Sequence, residues 1–250
     1  MKTAPRDASR PPSLRSVLNN LQAYLEYERD EGVTCMDADP ATVAELGKAP
    51  PRPVNAEPEL RRIAAEVAAC RRCGLHKTRT RTVPGQGSPR PEIMFVGEGP
   101  GAEEDEQGMA FVGDAGQLLT RMIGAMGFTR EQVFIANIVK CRPPANRTPL
   151  PEEMAACLPY LQRQIALLQP RVIVALGGTA VRGLLQIDTG ITRLRGQWCT
   201  YEEIPVMPTF HPSYLLRDEG AKYKRDVWND LQAVLKRIGR EPPPRKKSAE

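Results

Sequence analysis

Glu92-Ile93-Met94-Phe95-Val96-Gly97-Glu98-Gly99-Pro100-Gly101 is the stretch from which the fold is read. A short apolar run ending in a glycine-rich turn reads as a buried strand, and three similar runs follow it: Val133-Phe-Ile-Ala-Asn137, Val172-Ile-Val-Ala-Leu176 and Ile204–Phe210. Segments of helical pattern lie between them, at 57–69, 115–126, 151–168 and 223–238; Pro151 and Glu152 suit the first turn of theirs. Short apolar strands alternating with helices predict a three-layer α/β/α domain around a mostly parallel, four-stranded sheet covered on both faces.

In such folds ligands gather beyond the carboxyl ends of the strands. Here those positions hold Gly97-Glu98-Gly99-Pro100-Gly101, Asn137 followed by Cys141, Gly177-Gly178, and Phe210-His211-Pro212-Ser213. Every candidate chemical group falls on that one edge. The glycine turn has neither the Lys-Ser/Thr of a phosphate-binding loop nor dinucleotide-fingerprint spacing, and alone it reads equally as a turn. Glu98 adds a carboxylate facing the crevice. His211 is one of two histidines, and Phe111 one of five phenylalanines; the first is read as catalytic or structural, the second as a stacking platform or a core plug.

Cys70-Arg71-Arg72-Cys73, Cys141 and Cys157 form one close pair and two distant singles. In a reducing compartment such a set points to a metal rather than to disulfides, and four thiolates suit structural zinc or an iron–sulfur cluster. On spacing alone zinc is the more common choice, and four unrelated buried thiols are the alternative. His76 ranks below Cys157 as a ligand, and Cys35 and Cys199 read as ordinary thiols.

The net charge is +5, and Arg71, Arg72, Lys77, Arg79, Arg81 and Arg90 lie between Cys70 and Pro91 without an acidic residue. A basic segment beside a metal-bearing domain points to a polyanionic partner. No apolar run approaches the roughly 20 residues of a membrane span, and Met1-Lys2-Thr3-Ala4-Pro5-Arg6 leads into no apolar stretch, so a cytoplasmic protein, nucleoid-associated when acting, is expected, and it is taken as a monomer. Residues 1–56 read as an extension with one amphipathic helix over 13–31 and a Pro-rich linker over 49–54. This extension is expected to dock on the main domain or to bind a protein partner. Residues 57–240 form the domain, and 241–250 a basic tail.

Together, Cys70-x2-Cys73, Gly97-Glu98-Gly99-Pro100-Gly101-Ala-Glu-Glu104-Asp105, Phe111-Val-Gly113-x-Ala-Gly116-Gln117-Leu118-Leu119, Asn137-Ile-Val-Lys140-Cys141-Arg142-Pro143-Pro144 and His211-Pro212-Ser213 resemble a family 4 uracil-DNA glycosylase over residues 57–240. The resemblance implies a [4Fe–4S] cluster on Cys70, Cys73, Cys141 and Cys157, in place of zinc. It implies a uracil pocket built from Gly97, Glu98, Gly99, Phe111, Asn137 and His211, with Glu104 where a C5 methyl would clash. In that pocket Phe111 stacks on the base, Asn137 reads its O4/N3 edge and His211 donates to O2. Glu98 is a candidate water-positioner. DNA contacts are expected from Arg71, Arg72, Lys77, Arg79 and Ser213, with Leu215 and Leu216 wedging into the stack. Family 1 enzymes carry an Asp and a Tyr where this chain has Gly99 and Gly101, so leaving-group stabilisation is expected to carry more of the rate. A related group that links covalently to DNA has a basic, His-containing insertion absent from Arg142-Pro-Pro-Ala-Asn-Arg147. The competing reading is a non-catalytic, cluster-bearing module that binds nucleic acid.

Overall fold

The computed structural model describes residues 56–244. The expected N-terminal helix, the Pro-rich linker, Cys35 and the basic Arg245-Lys246-Lys247 lie outside the described residues.

Helix α1 (Glu57–Ala69) leads through a 3-10 turn (Gly74–Lys77) and the short strand β1 (Gln86–Gly87) into β2 (Ile93–Gly97). Helices α2 (Ala102–Gln107) and α3 (Asp114–Ala125) precede β3 (Phe134–Asn137), and α4 (Pro151–Leu168) precedes β4 (Val172–Leu176). Then come α5 (Gly178–Leu185), α6 (Ile191–Leu194), β5 (Cys199–Tyr201) and β6 (Ile204–Thr209). The chain continues through α7 (Pro212–Leu215), α8 (Asp218–Ala221) and α9 (Lys224–Arg237).

The sheet has six strands, ordered β1-β3-β2-β4-β6-β5. The four expected strands form its parallel centre, and two short antiparallel strands were added at the edges. Neither edge strand is legible by pattern. β1 has only two residues, and the β5–β6 hairpin turns on Glu202 and Glu203, both at positive φ (42° and 69°), without the Asn-Gly that usually marks such turns.

The central strands are apolar throughout because both faces are covered. Met94, Val96, Phe134, Ala136, Ile173, Ala175 and Val206 pack with α1, α4 and α5. Their neighbours Ile93, Phe95, Ile135, Val172, Val174, Leu176 and Met207 pack with α3 and α9 on the other face. The alternation follows the two-residue strand period, while α9 buries Val227, Leu231, Val234 and Leu235 at helical spacing. Replacing Leu231, 1% exposed, by Ala should cost about 2–5 kcal/mol.

Gly97 pairs with Asn137, and Leu176 with Thr209, so the four parallel strands end level. β2 lies between β3 and β4, and the chain direction across the sheet reverses there, which opens a crevice at the carboxyl ends. No helix among the described residues is long and apolar enough to cross a membrane.

Candidate active site

The aligned strand ends open on a cleft of about 490 Å³, within the range of small-ligand sites. Glu98, Gly99, Glu104, Phe111, Asn137, His211 and Ser213 all line it, although more than a hundred residues separate the first from the last. Asn137, the last residue of β3, is 1% exposed, and among the described residues its side-chain Oδ1 has no hydrogen-bond partner. A buried acceptor left unpaired costs about 1–3 kcal/mol, so this atom is set for a donor brought by a ligand.

Gly97 explains how the cleft closes around that atom. A Cβ at Gly97 would meet both Asn137 Oδ1 and Phe111 Cζ at 2.5 Å, so only glycine lets the amide and the ring converge there. Phe111 itself has φ 55°, an uncommon conformation for a bulky residue, and the loop around it is tied on both sides. Glu104 accepts the backbone N–H groups of Gly101 (3.0 Å), Val112 (2.8 Å) and Gly113 (2.9 Å). The Ala110 N–H donates to Gln86 Oε1 (3.1 Å), and Arg130 donates to the Ala110 carbonyl (2.6 Å). Gly116 packs directly on the Phe111 backbone, leaving no room for a side chain. The ring is therefore held ready before any ligand arrives, 5.6 Å from the His211 ring.

His211 follows β6 and precedes α7. The Ser213 backbone N–H donates to its Nδ1 at 3.2 Å, and Ser213 Oγ lies 2.7 Å from the same atom. Nδ1 is thus an acceptor, the ring proton sits on Nε2, and Nε2–H is the donor left for the cleft. Burial, only partly offset by the Glu104 carboxylate, pushes the His211 pKa down to about 4. The imidazole is neutral at pH 7.

The four cysteines line a second cavity, between α1, the 3-10 turn, the segment after β3, and α4. Arg163 on α4 fixes α1 beside it by pairing with Glu66 (2.5 Å) and Glu59 (3.1 Å). Two N–H groups point at the sulfurs: Arg79 reaches Cys141 Sγ at 3.1 Å, and the Lys140 amide reaches Cys157 Sγ at 3.2 Å. Burial raises the pKa of Cys141 and pushes that of Cys157 up to about 11, so a bound metal is needed to make them thiolates at neutral pH. Among the described residues no group of three or more His, Cys, Asp or Glu converges to hold a single metal ion. His76 turns its Nδ1 to the Cys73 carbonyl at 2.7 Å.

Several expected roles are revised by position. Leu215 is 2% exposed and belongs to the core, so of the expected wedge only Leu216, 46% exposed, is available. Arg79, expected to bind phosphate, commits its guanidinium to Cys141 and to the Ala68 carbonyl (2.8 Å). Ser213 orients His211. Glu104 lines the cleft, but its two oxygens are occupied by three backbone amides. Asn146, Arg147, Thr148 and Arg217 also line the cleft and were not anticipated. Asn146 ends a 3-10 turn (Pro144–Asn146) in which Ala145 and Asn146 have positive φ, Arg147 and Thr148 follow it outside any regular element, and Arg217 lies in a turn after α7. Lys140, inside a quoted motif but given no role, is 1% exposed. Burial pushes its pKa down to about 8.

Comparison with known proteins identifies the family. Residues 84–232 match the family model described as the uracil DNA glycosylase superfamily. The chain is 47% identical to the type-4 uracil-DNA glycosylase of Thermotoga maritima over 188 residues, covering 73% of this chain and 97% of that protein. It is 48% identical to the type-4 uracil-DNA glycosylase of Sulfurisphaera tokodaii, covering 72% and 83% of the two chains. For the one of Archaeoglobus fulgidus the identity is 41%, over 71% and 90%.

Proposed function

The chain belongs to the uracil DNA glycosylase superfamily, with type-4 uracil-DNA glycosylases as its relatives, and from that premise we propose how this cleft removes uracil from DNA. The reaction is hydrolysis of the bond between uracil N1 and the deoxyribose C1′, which leaves free uracil and an abasic site in the first step of base excision repair. A base stacked in a duplex must rotate out before that bond can be reached. Leu216 fills the vacated stack, while Arg71, Arg72 and Lys77 hold phosphates and fix the register without reading sequence.

The flipped uracil stacks on Phe111. Asn137 Oδ1 accepts N3–H, and the amide nitrogen of the same side chain donates to O4. His211 donates Nε2–H to O2. As the glycosidic bond breaks, positive charge develops on the sugar and negative charge on the base. A neutral donor fixed at O2 gains strength in step with that charge, a contribution of about 3–4 kcal/mol for a well-placed donor. Glu98 positions the water that captures the sugar. Gly99 offers no side chain to deprotonate that water, so stabilisation of the uracil anion supplies most of the rate. The observation that carries this reading is the unpaired Asn137 Oδ1 in a cleft that also presents Phe111 and the Nε2–H of His211.

Cys70, Cys73, Cys141 and Cys157 are the residues that would hold an iron–sulfur cluster. Four thiols lining one cavity, two of them receiving N–H donors, fit the four-thiolate donor set such a cluster would need. Bound there, the cluster supplies a crosslink between α1, α4 and the segment after Asn137. Two N–H donors aimed at sulfur favour the thiolate state.

Incubation with an oligonucleotide carrying one uracil, followed by alkali, tests the reading. Cleavage at the uracil position and release of free uracil are expected. Binding without alkali-labile product would instead support the non-catalytic module.

A further inference from the structure

Lys140 is fully buried, yet the acceptors that hold its ammonium are neutral. Nζ donates to the main-chain carbonyl of Asn137 at 2.9 Å and to Gln164 Oε1 at 2.8 Å. The Gln164 amide in turn donates to the Pro84 carbonyl at 2.8 Å. The backbone of Lys140 is equally committed, its N–H to Cys157 Sγ at 3.2 Å and its carbonyl to the Val83 N–H at 2.8 Å. A buried charge whose two hydrogen-bond acceptors are both neutral is expensive even with the Cys157 sulfur nearby, and a methionine would fill the same space without that penalty. Packing therefore does not account for a lysine here, whereas its contacts do. Asn137 ends β3 at the cleft, and the chain then turns within three residues to the cysteine cavity. The carbonyl of the base-facing residue is held by the ammonium of Lys140, and the sulfur of Cys157 by the backbone N–H of the same residue.

We propose that Lys140 is a positioning residue for uracil recognition: its ammonium locks the Asn137 peptide to the wall of the cysteine cavity, and so fixes where the Asn137 amide meets the base. The proposal rests on the base-reading role given to Asn137. Without the ammonium the Asn137 carbonyl loses its anchor, and the side-chain amide, three bonds from the carbonyl carbon, loses its aim. The fold, held by the sheet and both cores, remains.

The test compares K140M, Q164L and N137A as purified, cluster-loaded proteins. Loss of a charge-assisted hydrogen bond of about 1.5–3 kcal/mol predicts that K140M excises uracil about 10–100-fold more slowly in single turnover. Inhibition by free uracil should weaken by a similar factor, while affinity for uracil-free DNA and iron content stay at wild-type values. Q164L cuts the same buried network on its other side and leaves the Asn137 anchor in place. It should lower the melting temperature but keep the excision rate within about threefold, since the bonds it removes, from the Lys140 ammonium and to the Pro84 carbonyl, do not hold the residue that meets the base and so cost stability and not recognition. K140M at wild-type rate and wild-type uracil inhibition would overturn the proposal, as would equal rate losses in K140M and Q164L. If K140M does not accumulate as folded protein, the double variant K140M/Q164L replaces both partners by apolar groups, and the same slow excision and weak inhibition by uracil are expected of it. N137A separates this proposal from the reading beneath it. N137A at wild-type rate removes the base-reading role and the Lys140 proposal together, whereas a slow N137A beside a normal K140M removes the Lys140 proposal alone.

Discussion

Ser213 donates its backbone N–H to Nδ1 of His211, and this single contact decides which ring nitrogen carries the proton. With burial holding the pKa near 4, the ring meets the base as a neutral Nε2–H donor. Replacing Ser213 by Ala keeps that amide and removes only the hydroxyl. We expect excision by S213A to fall less than about tenfold, and by H211A about 10²–10³-fold, with DNA affinity nearly unchanged in both. Equal losses of affinity and rate in H211A would make His211 a ground-state contact.

The depressed pKa also sets a pH dependence. The folded value of about 4 lies below the ordinary 6.5, so the unfolded chain takes up the proton first. The stability linked to His211 is thus complete above pH 6.5 and is lost as pH falls from 6.5 towards 4. Part of the residue opens on the cleft, which reduces the effect to about 2 kcal/mol. Urea unfolding of wild type and H211Q at pH 7 and pH 4.5 should reveal it as a change in their stability difference. Single-turnover excision should show no titration of this residue between pH 5.5 and 8. A tenfold fall in rate per pH unit in that range, absent in H211Q, would mean that the charged ring acts.

Gly97 carries the shape of the pocket. G97A places a methyl 2.5 Å from both Asn137 Oδ1 and Phe111 Cζ, and one of them must move. Excision should fall at least about 100-fold, because a displacement of about 1 Å is enough to spoil a reacting geometry. The melting temperature should change only slightly, since the affected groups border an open cleft. Near-normal excision by G97A would show that the amide and ring need not converge.

Cys141 joins the segment after β3 to the cysteine cavity. C141A should lose iron and sulfide together with the broad absorption near roughly 400 nm, and should melt at lower temperature than wild type. Normal melting with full iron content would remove Cys141 from the ligand set. Colourless wild-type protein holding stoichiometric zinc would contradict the cluster itself.

The parallel centre of the sheet was legible because four apolar runs are buried on both faces, which leaves a strong signal in sequence. The edges were not: Gln86–Gly87 is too short for any period, and Glu202–Glu203 turns a hairpin without the usual residues. The cleft was legible because parallel strands present their carboxyl ends together, so Gly97, Asn137 and His211 had to share an edge. What side chains do once there was less so. Ser213, Arg79 and Glu104 are polar residues in the expected places, but each is committed to an internal partner that no spacing reveals. Leu215 and Leu216 are adjacent and chemically identical, and only the packing of α7 separates the core residue from the exposed one.

The central claim is that Asn137 reads uracil. Its amide meets the N3–H donor and O4 acceptor of uracil, and would face two mismatches against the N3 acceptor and N4 amino group of cytosine. A site built on such bonds rejects the wrong base by about 10⁴-fold or more. The direct measurement is single-turnover excision of uracil and of cytosine from otherwise identical oligonucleotides by wild type, N137A and N137D. Wild type should remove uracil and leave cytosine untouched, and both variants should lose uracil excision severely, N137D gaining slow cytosine excision through its added acceptor. Uracil excision at near wild-type rates by both variants would contradict the account, because the unpaired Oδ1 at the end of β3 would then have no part in recognising the base.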